Sequence, residues 1–268
     1  MSAESSYRTL ARTALKGGVV DVGRRSVPEE VPVAFSYGGS THAVMMASPA
    51  DLDDFAVGFS LTEGIISTRE EIDAIDVLEA ASGFDVQVVL RDHQADALRI
   101  RRRHMAGPVG CGLCGIESIE QAVRPVPDVS AMLLKVSGAE IVEAIMALNN
   151  EQPLNHETRA VHGAGFYVPG RGLVAVREDV GRHNALDKLV GAALNAGYSG
   201  GGGIVVVTSR LSVEMVQKAA IFGSPILVAI SAPTALAIET AEKAGMTLVA
   251  IVRGEDFEIF TRPDRVVF

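Results

Sequence analysis

Gly203-Ile204-Val205-Val206-Val207-Thr208 is a short, unbroken apolar run that ends on a hydroxyl. Two runs of the same kind follow, Ile226 to Ile230 and Thr247 to Val252. Helical patterns over 212–222 and 233–244 separate them. Apolar residues at successive positions, rather than at every second one, mark strands buried on both faces. Strands that alternate with helices mark a largely parallel sheet with helices packed against it. Upstream lie a helix over 182–196 and two strands, Ala164 to Val168 and Leu173 to Arg177; downstream a last strand covers 257–261. Ser137-Gly-Ala-Glu140 has the spacing of a capping box, in which side chain and backbone exchange hydrogen bonds at a helix start. Behind it Ile141, Ala144, Ile145 and Leu148 form an apolar stripe. The glycines Gly200 to Gly203 precede their strand, so they are not a phosphate-cradling loop of the dinucleotide type. Residues 129–268 thus read as one α/β domain.

The first half is less regular. Residues 1–28 read as a mobile or loosely docked arm, with no apolar stretch of a secretory signal. Residues 29–128 read as a smaller α+β domain. Val31 to Tyr37 and Thr41 to Ala47 flank Gly38-Gly39-Ser40, a hairpin pattern. Ser48-Pro49 reads as the start of a helix, with Ser48 as its cap, and Leu52, Phe55, Ala56 and Phe59 share one face. Glu63-Gly64 ends it. Phe84 to Leu90 and Ala97 to Arg101 alternate like paired strands, and a short helix spans about Ile116 to Val123.

Between those last elements lies a loop, 104–118, with the only two cysteines of the 268 residues: Gly110-Cys111-Gly112-Leu113-Cys114-Gly115. Glycine on both sides resists regular structure and gives the thiols room to approach a bulky partner. A basic run, Arg99 to His104, stands just before it and reads either as a solvated strand end or as a cationic collar that favours the thiolate or attracts phosphates. Two cysteines cannot build a disulfide framework, which suits a reducing compartment; we place the protein in the cytoplasm. No apolar run reaches the length of a membrane span. The net charge of −9 argues against non-specific nucleic-acid binding, which needs clustered cations to neutralise phosphates.

Open parallel sheets bind ligands outside the carboxyl ends of their strands. Here those ends are polar. One carries Arg177 to Asn184, the next Thr208-Ser209-Arg210-Leu211-Ser212, a third Ser231 to Thr234, and a fourth Arg253-Gly254-Glu255-Asp256. Three open onto helix N-termini, where unbonded N–H groups favour anions. Arg182, Arg210 and Arg253 add charge suited to phosphate. Asp179, Asp187, Glu214 and Asp256 are acceptors for amine or base edges. His183 and Asp187, four apart, share a helix face; Lys188 reads as a solvated helix charge.

Together these residues resemble the FdhD family of formate dehydrogenase accessory sulfurtransferases. The likeness runs from about Glu30 to the C-terminus. Its strongest motif is Arg177-Glu-Asp-Val-Gly-Arg-His-Asn-Ala-Leu-Asp-Lys188, supported by Cys111-Gly-Leu-Cys114-Gly, by Pro49 to Phe59 with Glu63-Gly64-Ile65-Ile66, and by Ser209-Arg210. One departure is Thr158-Arg159-Ala160-Val161-His162, where members often show T-G-G-x-H. The resemblance implies a cytidine-deaminase-like, three-layer second half with a mostly parallel sheet, and a homodimer. It implies a sulfurtransferase that takes persulfide sulfur from a cysteine desulfurase onto Cys111, with Cys114 as auxiliary. The acceptor it implies is the molybdenum or tungsten bis(molybdopterin guanine dinucleotide) cofactor of formate dehydrogenase, with no catalytic metal of the protein's own. Cofactor contacts are expected first at Ile251, Val252, Arg253, Gly254, Glu255 and Asp256, then at His162, Arg182, His183, Ser209, Arg210 and Ser231. Besides a dithiol redox protein, which would want a rigid helix N-terminus at its cysteines, two rivals stand beside this reading. One is a non-catalytic chaperone that only holds the cofactor. The other is a zinc deaminase, which would need H-x-E followed by P-C-x-x-C, whereas here both cysteines precede His162 and His183.

Overall fold

The computed structural model describes residues 6–91 and 125–268. The strand expected at 97–101, the basic run, the cysteine loop with Cys111 and Cys114, and the helix expected at 116–123 lie outside them. The chain begins with β1 (Tyr7–Lys16) and β2 (Val19–Pro28), paired antiparallel along their whole length. Gly17 and Gly18 turn the corner at φ 56° and 83°, as a two-residue hairpin turn requires. Within the arm expected at 1–28, residues 7–28 thus form a paired two-stranded ribbon. Its threonines, valines and Gly-Gly turn favour a ribbon.

β3 (Val31–Tyr37) and β4 (Ser40–Ala47) form the predicted hairpin, followed by α1 (Leu52–Thr62), β5 (Ile72–Ala80) and β6 (Gly83–Leu90). The four strands lie in the order β4-β3-β6-β5. β6 runs parallel to β3 on one side and antiparallel to β5 on the other. β6 thus has a partner on each edge, and the strand expected to pair with it at 97–101 lies outside the described residues. Ser48 is not the cap of α1 either. Asp51, in the left-handed region at φ 55°, precedes the helix, and Ser48 is fully buried in contacts of another kind described below.

The second half runs β7 (Val136–Ser137), α2 (Gly138–Asn150), α3 (Pro153–Thr158), β8 (His162–Val168), β9 (Gly172–Asp179) and α4 (Arg182–Asn195). It continues with β10 (Ile204–Val207), α5 (Val213–Phe222), β11 (Ile226–Ala229), α6 (Ala235–Lys243), β12 (Thr247–Arg253), β13 (Asp256–Thr261) and β14 (Val266–Val267), which pairs with β7. The capping box at Ser137 and Glu140 is present in both directions. The six-stranded sheet has the order β13-β12-β11-β10-β8-β9. Parallel pairing holds in its centre, β10 to β12, and antiparallel pairing flanks it. Ile204 and Val206 of β10 pack with Ile141, Ile145 and Leu148 of α2 on one face; Val205 and Val207 face α4 and α5 on the other. That is why these strands read as continuous apolar runs.

A second layer of packing joins the halves. α1 lies between the four-stranded sheet and α4, and most of its residues are buried. Phe35 stacks on Phe59 at 4.7 Å and meets Phe55 edge-on at 4.8 Å. Burying each such ring stabilises the fold by about 1.5–3 kcal/mol. On the far side α1 crosses α4 backbone to backbone. A Cβ added at Gly58 would lie 1.7 Å from the Asp187 carbonyl oxygen, and one at Gly191 would lie 1.9 Å from that of Asp54. Only glycine permits this approach.

Candidate functional site

The carboxyl ends of β10, β11 and β12 form one edge of the large sheet, and loop hydrogen bonds knit it together. Thr208 N–H donates to the Gly163 carbonyl, Leu211 N–H to Ala232, Thr234 N–H to Leu211 and Ile251 N–H to Ser231. His162, at the start of β8, stands on the same edge because β8 runs against β10. The twelve-residue motif from Arg177 to Lys188 then divides by function.

Most of it is structural. The Arg177 guanidinium holds Asp54 of α1 at 2.6 and 2.8 Å. Glu178 accepts N–H bonds from Leu154 and Asn155 at the start of α3; burial nevertheless pushes its pKa up. Asp179 and Lys188 are both completely buried, 2.6 Å apart. Asp179 also accepts from Ser48 N–H, Gly181 N–H and Asn184, while the Lys188 ammonium donates to the Ser48 carbonyl at 2.9 Å. Lys188 is therefore not a solvated helix charge. Nor does Asp187 pair with His183: it accepts from Thr62 at 2.7 Å and from Lys218 at 2.9 Å. Glu63 completes that group. Burial raises the Asp187 pKa against the pull of Lys218. Burial also works to lower that of Lys218, but Asp187 and Glu63 outweigh it and hold it above the ordinary lysine value. Asp179 and Asp187 are thus engaged in the core and unavailable to a ligand. Ser48, Thr62, Glu63 and Lys218 were not singled out as partners in the sequence. The one visible signal was a lysine inside the apolar run of α5.

Arg182 and His183 are what the motif presents at the edge. Gly181 leaves the first turn of α4 without a side-chain cap. The Arg182 Nε is buried and has no hydrogen-bond partner among the described residues. A buried guanidinium N–H without an acceptor is costly, and an anion would supply one. His183 lies 3.4 Å from Ser212 Oγ and 3.9 Å from Glu214. Burial first, then the charges of Arg182 and Lys218, push its pKa down to about 4. Burial and Arg182 lower that of His162 as well. Both imidazoles are neutral at pH 7, able to accept or donate one hydrogen bond without charge.

Ser209 is buried and its hydroxyl bonds the Arg210 carbonyl, whereas Arg210 is exposed. On the other side of the edge, Arg253 turns back to donate to the Ile230 and Val252 carbonyls. Ile251 occupies the left-handed region at φ 56°, within an irregularity of the β12–β13 ladder. That conformation is rare for a β-branched residue and redirects the chain into the turn Arg253 to Asp256. Val252 is buried, and Glu255 and Asp256 are exposed. Of the residues expected to face a cofactor, His162, Arg182 and His183 gather with Ser212 and Glu214, Ser231 joins the 251–256 turn, and Ser209 and Arg210 lie in the loop between β10 and α5. At the departure from T-G-G-x-H, Arg159 adopts φ 56°, the conformation a glycine would take without strain.

Comparison with known proteins gives this arrangement a context. The model of the FdhD/NarQ family matches residues 28–267. A sulfur carrier protein FdhD from Agrobacterium fabrum is 74% identical over 267 residues, covering 100% of this chain and 98% of that one. One from Brucella abortus is 57% identical over 243 residues, covering 91% and 90%. Among solved structures, a protein described as a formate dehydrogenase accessory protein, from Desulfotalea psychrophila, superposes with a TM-score of 0.76 at 28% identity, over 98% of this chain and 100% of that one. From the first strand of the four-stranded sheet to the C-terminal strand, this chain belongs to the FdhD/NarQ family.

Proposed function

We propose that this chain is a sulfur carrier that serves formate dehydrogenase. The observation that carries the reading is the Cys111-x-x-Cys114 pair, the chain's only thiols, in a sequence 74% identical to a protein named as a sulfur carrier. The chemistry is thiol exchange. The Cys111 thiolate attacks the outer sulfur of a cysteine desulfurase persulfide. A new S–S bond forms on Cys111, and the donor cysteine leaves as its thiolate. Release can then follow from Cys114: its thiolate attacks the inner sulfur, the outer sulfur departs as hydrosulfide, and the two cysteines are left as a disulfide. The two electrons that turn sulfane sulfur into sulfide come from that dithiol, and an external dithiol reductant resets it.

The acceptor is the molybdenum or tungsten bis(molybdopterin guanine dinucleotide) on its way to formate dehydrogenase. It is cargo rather than a resident group. The strand-end edge supports this part: the buried Arg182 Nε lacks an acceptor that a phosphate oxygen would provide, next to two neutral imidazoles. Incubation with a cysteine desulfurase and L-cysteine, followed by intact mass measurement, tests the carrier step. A reducible gain of one sulfur, lost in Cys111→Ala and retained in Cys114→Ser, is the expected result. Full maturation of formate dehydrogenase in cells by Cys111→Ala would instead establish a chaperone that holds the cofactor without carrying sulfur.

A further inference from the structure

The β1–β2 ribbon has no part in the core. None of its residues is buried, and the family match begins only at residue 28. It is tied to the body near its base, where Ser26 Oγ donates to Glu157 and the Arg25 guanidinium to the Thr158 carbonyl of α3. From these bonds it runs on for about 20 Å to the Gly17-Gly18 turn, at the usual rise of a strand. Its composition changes along that length. In the four rungs nearest the turn, Leu15, Val19, Val20 and Val22 are between 65% and 77% exposed. The acid among them, Asp21, is bound by Arg12 at 2.8 Å and lies 3.7 Å from Lys16. Farther back, the rungs Arg12–Gly23, Ala11–Arg24, Leu10–Arg25 and Arg8–Val27 carry one cation each. Arg24 and Arg25 donate to carbonyl oxygens, so their charge has no counterion among the described residues. The ribbon thus holds five cations against one acidic residue, in a chain whose net charge is −9.

We propose that the ribbon is a membrane-surface anchor: its aliphatic tip enters the headgroup boundary of an anionic bilayer, and the cations behind the tip meet the lipid phosphates. The dimensions agree. Four rungs span about 13 Å, and an interfacial segment buries its apolar part about 5–10 Å deep, which leaves the cation-bearing rungs at headgroup level. Buried aliphatic area and basic charge are two separate contributions to surface binding, and the ribbon carries both. The length of the ribbon exceeds the ~8 Å over which physiological salt screens charge, so the acidic body does not repel the membrane from the tip. Each strand keeps one open edge, whose backbone groups need water, so the ribbon rests in the interface and does not span the bilayer. Two ribbons laid together would set cations against cations, which disfavours a second copy of the chain as the occupant.

Cosedimentation of the full chain with phosphatidylcholine vesicles, made with and without phosphatidylglycerol, tests this. Binding is expected to the anionic vesicles, and about tenfold weaker to the neutral ones. Leu15→Ser combined with Val20→Ser, at exposed positions outside the core, should weaken it by about tenfold or more. Lys16→Gln combined with Arg24→Gln should weaken it to a similar extent and blunt its dependence on salt. The chain has no tryptophan, so Val20→Trp supplies a single fluorophore at the tip. Its emission is expected to shift to the blue with anionic vesicles and to stay unchanged with inorganic phosphate. Failure to bind anionic vesicles, binding indifferent to both double substitutions, or an unshifted emission overturns the proposal. So does self-association in sedimentation that Leu15→Ser with Val20→Ser abolishes, which would make a second copy the occupant. If vesicles are ignored while binding to a cysteine desulfurase falls in the same variant, the ribbon is a protein-docking arm instead.

Discussion

Lys188 has no solvent contact, and its ammonium is satisfied by one carboxylate and one carbonyl from opposite halves of the chain. Replacing it with methionine strands the Asp179 carboxylate in the interior. We expect a loss of about 3–5 kcal/mol in denaturant unfolding at unchanged slope, partly restored when Asp179→Asn is added, which removes the buried charge and keeps an acceptor for Gly181 N–H and Asn184. His183 makes a different prediction. Its folded pKa, about 4, lies below the ordinary value of 6.5, so the unfolded chain takes up a proton that the folded chain refuses. The resulting stability is fully present above pH 6.5 and is lost as pH falls towards 4. Unfolding measured across that window should show a shallower decline in His183→Asn than in the unmodified protein. Neither residue's state was readable from sequence. A lysine or aspartate on a helix looks solvated until partners from Ser48, Thr62 and Glu63, more than a hundred positions away, are brought against it. By contrast, the Ser137–Glu140 cap was legible because both its bonds are local.

At the level of elements, the strands of the large sheet were the most legible, since burial on both faces writes itself as uninterrupted Ile and Val. β5 was missed for the opposite reason: Asp73, Asp76 and Glu79 interrupt it, and a bulge near Ile72 breaks its alternation. The β1–β2 ribbon was missed although Gly17-Gly18 marked its turn. The crossing of α1 and α4 was invisible because nothing local says which glycines face each other. It is also the most exacting contact in the fold. Gly58→Ala puts a methyl group inside the Asp187 carbonyl and must part the two helices. A loss of about 3 kcal/mol or more is expected, read as a fall in the unfolding midpoint, whereas alanine at Gly202, which would meet nothing within 4 Å, should be tolerated.

For the whole molecule, one apolar core runs from Val33 and Phe35 through α1 and α4 to Leu248 and Ala250. The two domains read from the sequence, 29–128 and 129–268, therefore share this core. A fragment of residues 129–268 would keep the large sheet but lose Ser48, Thr62, Glu63 and the whole of α1. Asp179, Lys188, Asp187 and Lys218 would be left short of partners on an uncovered face of α4. We expect this fragment to be insoluble or to lack the near-ultraviolet dichroism of a packed core, and co-expression with residues 1–128 to restore both. Among the described residues no helix is long and apolar enough to cross a membrane.

The same crossing shapes the birth of the protein on the ribosome. α1 is synthesised early, ending at Thr62, and is buried on nearly every side in the finished fold. The helix that covers its Gly58 face ends only at Asn195. At about 5–20 residues per second, α1 waits on the order of ten seconds for its partner. During that interval a helix whose Leu52, Phe55, Val57, Phe59 and Leu61 are bound for the core is on offer to anything that binds emerging chains, and synthesis rate becomes a determinant of yield.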